Sequence, residues 1–237
     1  MKALIFAAGK GTRLQPFTNS HPKALAEVNG IPLLERNIKY LQSYGINDFV
    51  INIHHFGEQI VDFLKLKNNF GANIEISDER NELLETGGGL IFAKEFLSSE
   101  EDFLIMNADI LTDLNISDFV KSHLESQNFV TLAVSDRKSS RKLFFDDQMI
   151  LKGWKNVGTG ETRMASTNVG FKELAFSGIH CINSAIFNKI KRTGKFSIME
   201  EYLDMMMIER IVGYEHHANL IDVGRPESIT EAEKIFL

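Results

Sequence analysis

The chain has 237 residues, 43% of them hydrophobic and 24% charged, with a formal net charge of −6. That is long enough for one sizeable core and short for two, and too rich in large apolar residues for a disordered chain. The acidic balance argues against a nucleic-acid binder, yet a few local cations can hold a phosphorylated small molecule inside an acidic protein.

Cys181 is the one cysteine, so no intramolecular disulfide forms, and Ile179 and Ile182 beside it predict a buried, inert thiol. No apolar run approaches the ~18 residues of a membrane span. The apolar stretch after Lys2 is shorter than the ~7–15 residues of a signal h-region. A cytoplasmic chain with neither membrane, nucleic acid nor obligate protein partner is the expectation.

In chain order, residues 3–6 are an apolar run that ends at a glycine loop. Residues 32–44 read as a helix: Pro32 starts it, Leu34, Ile38 and Leu41 share a face, and Gly45 ends it. Residues 49–53 are a second buried strand, 58–66 a second helix, and 74–77 a short strand. A third helix starts within Gly87-Gly88-Gly89 and ends over 92–97. Strands at 103–106 and 129–134 flank a helix at 119–124. A polar, basic stretch at about 136–172, with Arg137, Lys138, Arg141 and Lys142, reads as a hairpin insertion. Its loop is either solvated or a lid that meets an anionic substrate. Strand texture returns at 174–182, and helices at about 198–207 and 226–236 frame a final strand pair.

Continuous apolar strands alternating with helices predict an α/β fold: a Rossmann-like, mostly parallel sheet with helices on both faces, in a single domain over residues 1–237. Ligands of such folds bind at the carboxyl ends of the strands. The loops after Phe6, Met106 and Ile221 therefore carry weight.

The first of these is Ala7-Ala8-Gly9-Lys10-Gly11-Thr12-Arg13-Leu14. A glycine-rich turn there lets backbone N–H groups approach phosphate oxygens, and Lys10 and Arg13 add positive charge. It is not a P-loop, because Leu4 stands where the leading glycine belongs. Nor is it a dinucleotide fingerprint, because Leu14 holds the place of the third glycine, which counts against a dehydrogenase. In His21-Pro22-Lys23, proline presets the backbone ahead of a lysine that can reach the same anion. Glu85-Thr86-Gly87-Gly88-Gly89 suits backbone lying flat against a base or ribose.

Asp109, in Asn107-Ala108-Asp109, and Asp222, in Asp222-Val223-Gly224, both follow apolar strands. Two carboxylates beside bound phosphates suit Mg²⁺, which keeps waters and takes one or two protein carboxylates. The pairs His54-His55 and His216-His217 lack structural-zinc spacing with cysteines and read as solvated or packing residues. Met205-Met206-Met207 reads as helix core.

The ordered set Ala-Ala-Gly-Lys-Gly-Thr-Arg, Pro-Lys, Glu-Thr-Gly-Gly-Gly, Asn-Ala-Asp and Asp-Val-Gly resembles that of the sugar-1-phosphate nucleotidyltransferases, over nearly the whole chain. The triple glycine, Phe176-Ser177-Gly178-Ile179-His180 and the compact length are most similar to the branch that uridylylates N-acetylmuramate 1-phosphate. Ala24 follows Lys23 where many relatives have a second proline, and the Glu-Lys-Pro motif before the sugar strand is missing.

The resemblance implies transfer from a nucleoside triphosphate, UTP, to a sugar 1-phosphate, with Mg²⁺. Ala8, Gly9, Gly11, Thr12 and Arg13 would hold the triphosphate, and Arg13 the departing pyrophosphate. Lys23 would neutralise phosphates at the reacting centre, and Asp109 and Asp222 would hold Mg²⁺. Gly87 and Gly88 would pack on the nucleoside, and Asn107 and Gly178 would meet the sugar. The alternative is guanylyl or cytidylyl transfer to mannose or heptose 1-phosphate or another phosphorylated alcohol. A regulatory nucleotide-binding module without catalysis is a further rival, against which the retained Arg13, Lys23, Asp109 and Asp222 argue.

Overall fold

A computed structural model of the chain describes residues 1–165 and 170–237, so the expected insertion at 136–172 is described except for residues 166–169. Strand β1 (Ala3–Phe6) leads through three 3-10 turns to the two-residue strands β2 (Glu27–Val28) and β3 (Ile31–Pro32). Then come α1 (Leu33–Ser43), β4 (Asp48–Ile53), α2 (Gly57–Leu66), β5 (Asn73–Asp78), α3 (Glu85–Phe92), α4 (Lys94–Leu97), β6 (Asp102–Asn107) and β7 (Ile110–Thr112). The chain continues with α5 (Ile116–Glu125), β8 (Val130–Ser135), β9 (Arg141–Phe145), β10 (Leu151–Asn156), β11 (Thr162–Met164) and β12 (Lys172–Asn183). It closes with α6 (Ile198–Met205), β13 (Ile211–Glu215), β14 (Leu220–Asp222) and α7 (Pro226–Ile235).

The order β5-β4-β1-β6 is parallel, as the apolar runs predict. Alternate residues of these strands feed opposite faces. Ile5, Ile51 and Met106 pack with Leu34 and Ile38 of α1, Ile60 of α2 and Phe119 of α5. Leu4, Val50 and Ile105 pack with Leu90 of α3, Leu97 of α4 and Tyr202 of α6. Burying both faces is what makes such strands apolar throughout. Cys181 is buried on β12, as expected. Met205 and Met206 are buried, whereas Met207 lies beyond α6 and is exposed.

Beyond β6 the sheet becomes mixed. β12 runs antiparallel to β6, β8 antiparallel to β12, and β13 parallel to β8. Two reversals restore the direction, so β8 and β13 point the same way as β1, β4 and β6. With β5, six of the described strands thus end on one edge. The expected insertion is a three-stranded antiparallel extension, β11-β10-β9, which joins the first residues of β12. The two C-terminal strands are not a pair with each other: β13 extends the main sheet and β14 pairs with β7. Among the described residues, no helix is long and apolar enough to cross a membrane.

The triple glycine lies inside α3 rather than in a flat loop. It serves docking of α3 against the 194–196 segment and α6. Gly87 N–H donates to Phe196 O (2.9 Å), and Ile198 N–H donates to Thr86 Oγ1 (3.0 Å). A Cβ on Gly88 would stand 2.2 Å from the Gly194 carbonyl oxygen, and one on Gly87 2.3 Å from the Phe196 ring. The base contact expected of Gly87 and Gly88 is therefore replaced by contact with the chain itself, because the 194–196 segment covers their Cα atoms.

Gly88→Ala sets a methyl against backbone and should cost about 1–3 kcal/mol, the usual range for overpacking. Gly9→Ala, with open space around the added Cβ, should unfold like the parent in urea. Equal midpoints for the two variants would return Gly88 to a ligand-facing role.

Candidate active site

The last rung of the parallel strands aligns Asn52, Phe6 and Asn107 side by side. Beyond Phe6 the chain must turn out of the sheet, and Asn52 receives it. Its Oδ1 accepts from Ala7 N–H (2.6 Å) and Ala8 N–H (3.3 Å). Its Nδ2 donates to Glu79 Oε1 (2.8 Å), and Glu79 Oε2 accepts from Leu84 N–H (3.3 Å) ahead of α3. Asn52 and Glu79 are both buried. Burial pushes the Glu79 carboxyl up, against the opposing pull of its bonds to Asn52 and Leu84. This chain ties the start of the glycine loop to the start of α3. The sequence reading passed over both residues, although an asparagine inside Phe49-Val50-Ile51-Asn52-Ile53 is a polar interruption that a buried strand must satisfy.

Gly9, Lys10, Thr12 and Arg13 are exposed along the loop, while Ala8 is buried at its root. The Gly11 carbonyl accepts from Leu14 N–H and Thr18 Oγ1, which folds the loop back onto the segment carrying Lys23.

The two acids meet through a short ladder. In β7–β14, Asp222 stands opposite Ile110, next to Asp109, and Val223 N–H donates to Asp109 O (2.8 Å). Asn37 of α1 fixes the intervening turn by donating to Ala108 O (3.0 Å). Lys23 Nζ forms an ion pair with Asp109 Oδ2 and lies 3.8 Å from Asp222 Oδ1. Lys23, Asp109 and Asp222, separated by up to 199 positions in sequence, thus form one cluster.

Asp222 is held above the ordinary carboxylate range, first by removal from water and then by the charge of Asp109. Lys23, Arg13 and Arg137 pull it back down. Arg13 crosses Asp222 at Gly224: a Cβ there would stand 2.9 Å from Asp222 Oδ1 and 3.1 Å from Arg13 Nη2. A cleft of about 740 Å³ opens here between Arg13, Asp222 and Gly224 and the start of α7, which contributes Arg225 at its cap, Pro226 and Ser228 and also the acids Glu227 and Glu231. The N-terminus of such a helix favours anions.

On the other side of the acids, β12 bulges between Phe176 and His180. Gly178 sits in the bulge at φ +76°, a left-handed conformation that side chains resist. A Cβ there would meet Ile110 at 2.7 Å and Asn107 Nδ2 at 3.1 Å. Asn107 and Gly178 are therefore neighbours. The cation clusters resolve differently. Lys172 pairs with Glu215 (2.5 Å) and Lys142 Nζ donates to Arg137 O (2.9 Å), whereas Arg137 turns toward β12 and donates from Nη2 to Phe176 O (2.8 Å). His216 follows β13 rather than lying in it, and its Nε2 pairs with Ser177 Oγ (2.8 Å).

Two converging carboxylates already bridged by a cationic nitrogen are a donor set that fits a divalent cation shared with phosphate oxygens. Among the described residues no group of three or more His, Cys, Asp or Glu side chains is placed to hold a metal. Any such ion must complete its shell from waters and substrate.

The nucleotidyl transferase family model matches residues 2–143. The chain belongs to the nucleotidyl transferase family, and the reaction class is transfer from a nucleoside triphosphate to a sugar 1-phosphate, giving a nucleotide sugar and pyrophosphate. An N-acetylmuramate alpha-1-phosphate uridylyltransferase of Neisseria meningitidis serogroup B is 28% identical over 99% of this chain and 98% of its own length. A mannose-1-phosphate guanyltransferase of Gibberella zeae is 27% identical over the whole chain, which spans 64% of that protein's length. The structure of HddC from Yersinia pseudotuberculosis complexed with GMP-PN has the same fold, with a TM-score of 0.81 at 21% identity over 100% of this chain and 99% of that one.

Asp222→Asn removes a carboxylate whose charge the fold opposes, so the melting temperature should hold or rise while turnover falls by several kcal/mol in transition-state stabilisation. With its folded value raised, Asp222 favours folding at low pH and that contribution is lost as pH rises through the folded value. The variant should flatten this part of the stability–pH profile. Retained turnover at limiting Mg²⁺ would remove Asp222 from the metal site.

Proposed function

We propose that the chain is a Mg²⁺-dependent guanylyltransferase acting on a mannose-type sugar 1-phosphate. The observation that carries the reaction is the Asp109–Lys23–Asp222 cluster between the Arg13 cleft and the Gly178 bulge. The base is argued from the relatives: more of them are named mannose-1-phosphate guanyltransferases than uridylyltransferases, including a rice protein, Probable mannose-1-phosphate guanylyltransferase 3, 33% identical over the whole of this chain. A second reading, UTP with N-acetylmuramate 1-phosphate, is favoured by the Neisseria relative, which matches almost end to end.

The chemistry follows from charge. The nucleophile is a phosphate oxygen, ionised at neutral pH, so no general base is required. The obstacle is bringing one anion to another and expelling a third, which calls for positioning and charge neutralisation. The glycine loop would bind the triphosphate through backbone N–H groups of Gly9, Gly11 and Thr12, while the N–H of Ala8, the remaining residue expected there, holds the root of the loop on Asn52. Arg13 and the N-terminus of α7 would receive the pyrophosphate. Asp109 and Asp222 would hold Mg²⁺, which would supply a charge clamp between the two substrates. Lys23 would then exchange its carboxylate partners for phosphate oxygens. Asn107 and the Gly178 backbone would face the sugar.

A pyrophosphate-release screen of GTP, UTP, CTP and ATP against mannose, glucose, N-acetylglucosamine and N-acetylmuramate 1-phosphates tests this directly. Preference for GTP and mannose 1-phosphate is expected. Preference for UTP with the muramate sugar selects the second reading, and no release with any pair would overturn both.

Arg13→Ala should lower the saturated rate on the order of 10²–10³-fold, as expected for one group meeting charge that grows on the leaving pyrophosphate. Weakened nucleotide affinity at an unchanged saturated rate would make Arg13 a purely binding residue.

A further inference from the structure

The donor side of the acids has Arg13; the acceptor side needs a cation of its own. Arg137 stands just past the carboxyl end of β8, on the edge where β6 delivers Asn107 and β13 delivers His216. Its Nη2 grips the Phe176 carbonyl two residues before Gly178, and Lys142 steadies its backbone. Its Nε is shielded from water and has no hydrogen-bond partner. His216 Nδ1, at the end of the neighbouring strand, is in the same condition. A buried guanidinium donor without an acceptor is a costly arrangement unless a ligand completes it.

Two further considerations indicate an anion. Arg137 also borders a cleft of about 440 Å³ that Lys138, Lys142 and Lys155 line with it, against Asp136 and Glu173. Finally, a guanidinium stays charged at any working pH and offers paired N–H groups that match phosphate oxygens.

We propose that Arg137 is the acceptor-side binding residue, its guanidinium receiving the phosphate of the incoming sugar 1-phosphate beside the Gly178 bulge and Asn107. This rests on the sugar-1-phosphate reading of the site and is independent of which base or sugar is used. Arg13 and Arg137 then flank the reacting centre, one on the leaving phosphates and one on the attacking phosphate. The acceptor cation comes from the loop between β8 and β9.

The test uses whichever sugar 1-phosphate the wild-type protein turns over best, with Arg137→Met and Arg137→Lys. Loss of a charge-assisted contact predicts a rise of about 10–100-fold in KM for the sugar 1-phosphate in Arg137→Met. KM for the nucleotide should stay within about threefold by the same scale, and Arg137→Lys should recover part of the loss. The melting temperature is recorded alongside. An unchanged KM for the sugar phosphate overturns the proposal. So does an equal rise in both KM values with a lowered melting temperature, which would make Arg137 a structural tie to Phe176. A loss confined to sugars that carry a carboxylate substituent, such as the lactyl group of N-acetylmuramate 1-phosphate, also overturns it, because Arg137 would then read the sugar and not its phosphate. Absence of wild-type turnover with every sugar 1-phosphate is a different result: it removes the reading of the site on which the role depends.

Discussion

Two carboxylates of like charge, Asp109 and Asp222, are forced together at the carboxyl edge of the sheet, and Lys23 stands between them. Such a pair repels, and removal from water compounds the cost. The β7–β14 ladder supplies the constraint that keeps them adjacent. Lys23 offsets part of the repulsion without sealing the site, since Asp222 stays partly open to solvent. A site held under this tension favours whatever brings more positive charge, which is what a metal ion shared with phosphates does.

The remaining architecture can be read as support for that cluster. Parallel strands bring the ends of β1, β4 and β6 to one line, and the buried Asn52–Glu79 chain converts the line into a rigid platform for the glycine loop. Because Glu79 also holds Leu84 ahead of α3, the loop and the helix are tied through two side chains rather than through backbone alone. On the opposite side, the bulge in β12 lies beside Asn107, and Arg137, just past β8, donates to the Phe176 carbonyl at that bulge.

Much of this was legible in the sequence because it depends on local rules. Buried parallel strands must be apolar on both faces, so the runs at 3–6, 49–53 and 103–106 announced themselves, and the 3.6-residue pattern of Leu34, Ile38 and Leu41 did the same for α1. The turns after such strands must lie on one edge, which makes the glycine loop with Arg13, and Asp109 and Asp222, legible as candidates. Lys23 follows from the proline ahead of it, and Gly178 from resemblance alone.

Pairing across the chain was a different matter. Nothing in the local sequence says that β14 joins β7 while β13 joins β8, since both are short apolar strands and register depends on partners far away. The triple glycine looked like a surface for a base because close approach of backbone is the same requirement whether the approaching group is a ligand or Gly194 and Phe196. Asn52 and Glu79 carried no motif, because a buried polar link is defined by the partners that satisfy it. Arg137 was one of several basic residues until Lys172 was found paired to Glu215 and Lys142 to the Arg137 backbone. The sequence by itself determined the fold class and the chemical character of the edge, through burial and periodicity that act within a segment. The tertiary structure alone decided which charges face one another, because electrostatic neighbours as much as 199 positions apart are set by sheet register and not by spacing along the chain.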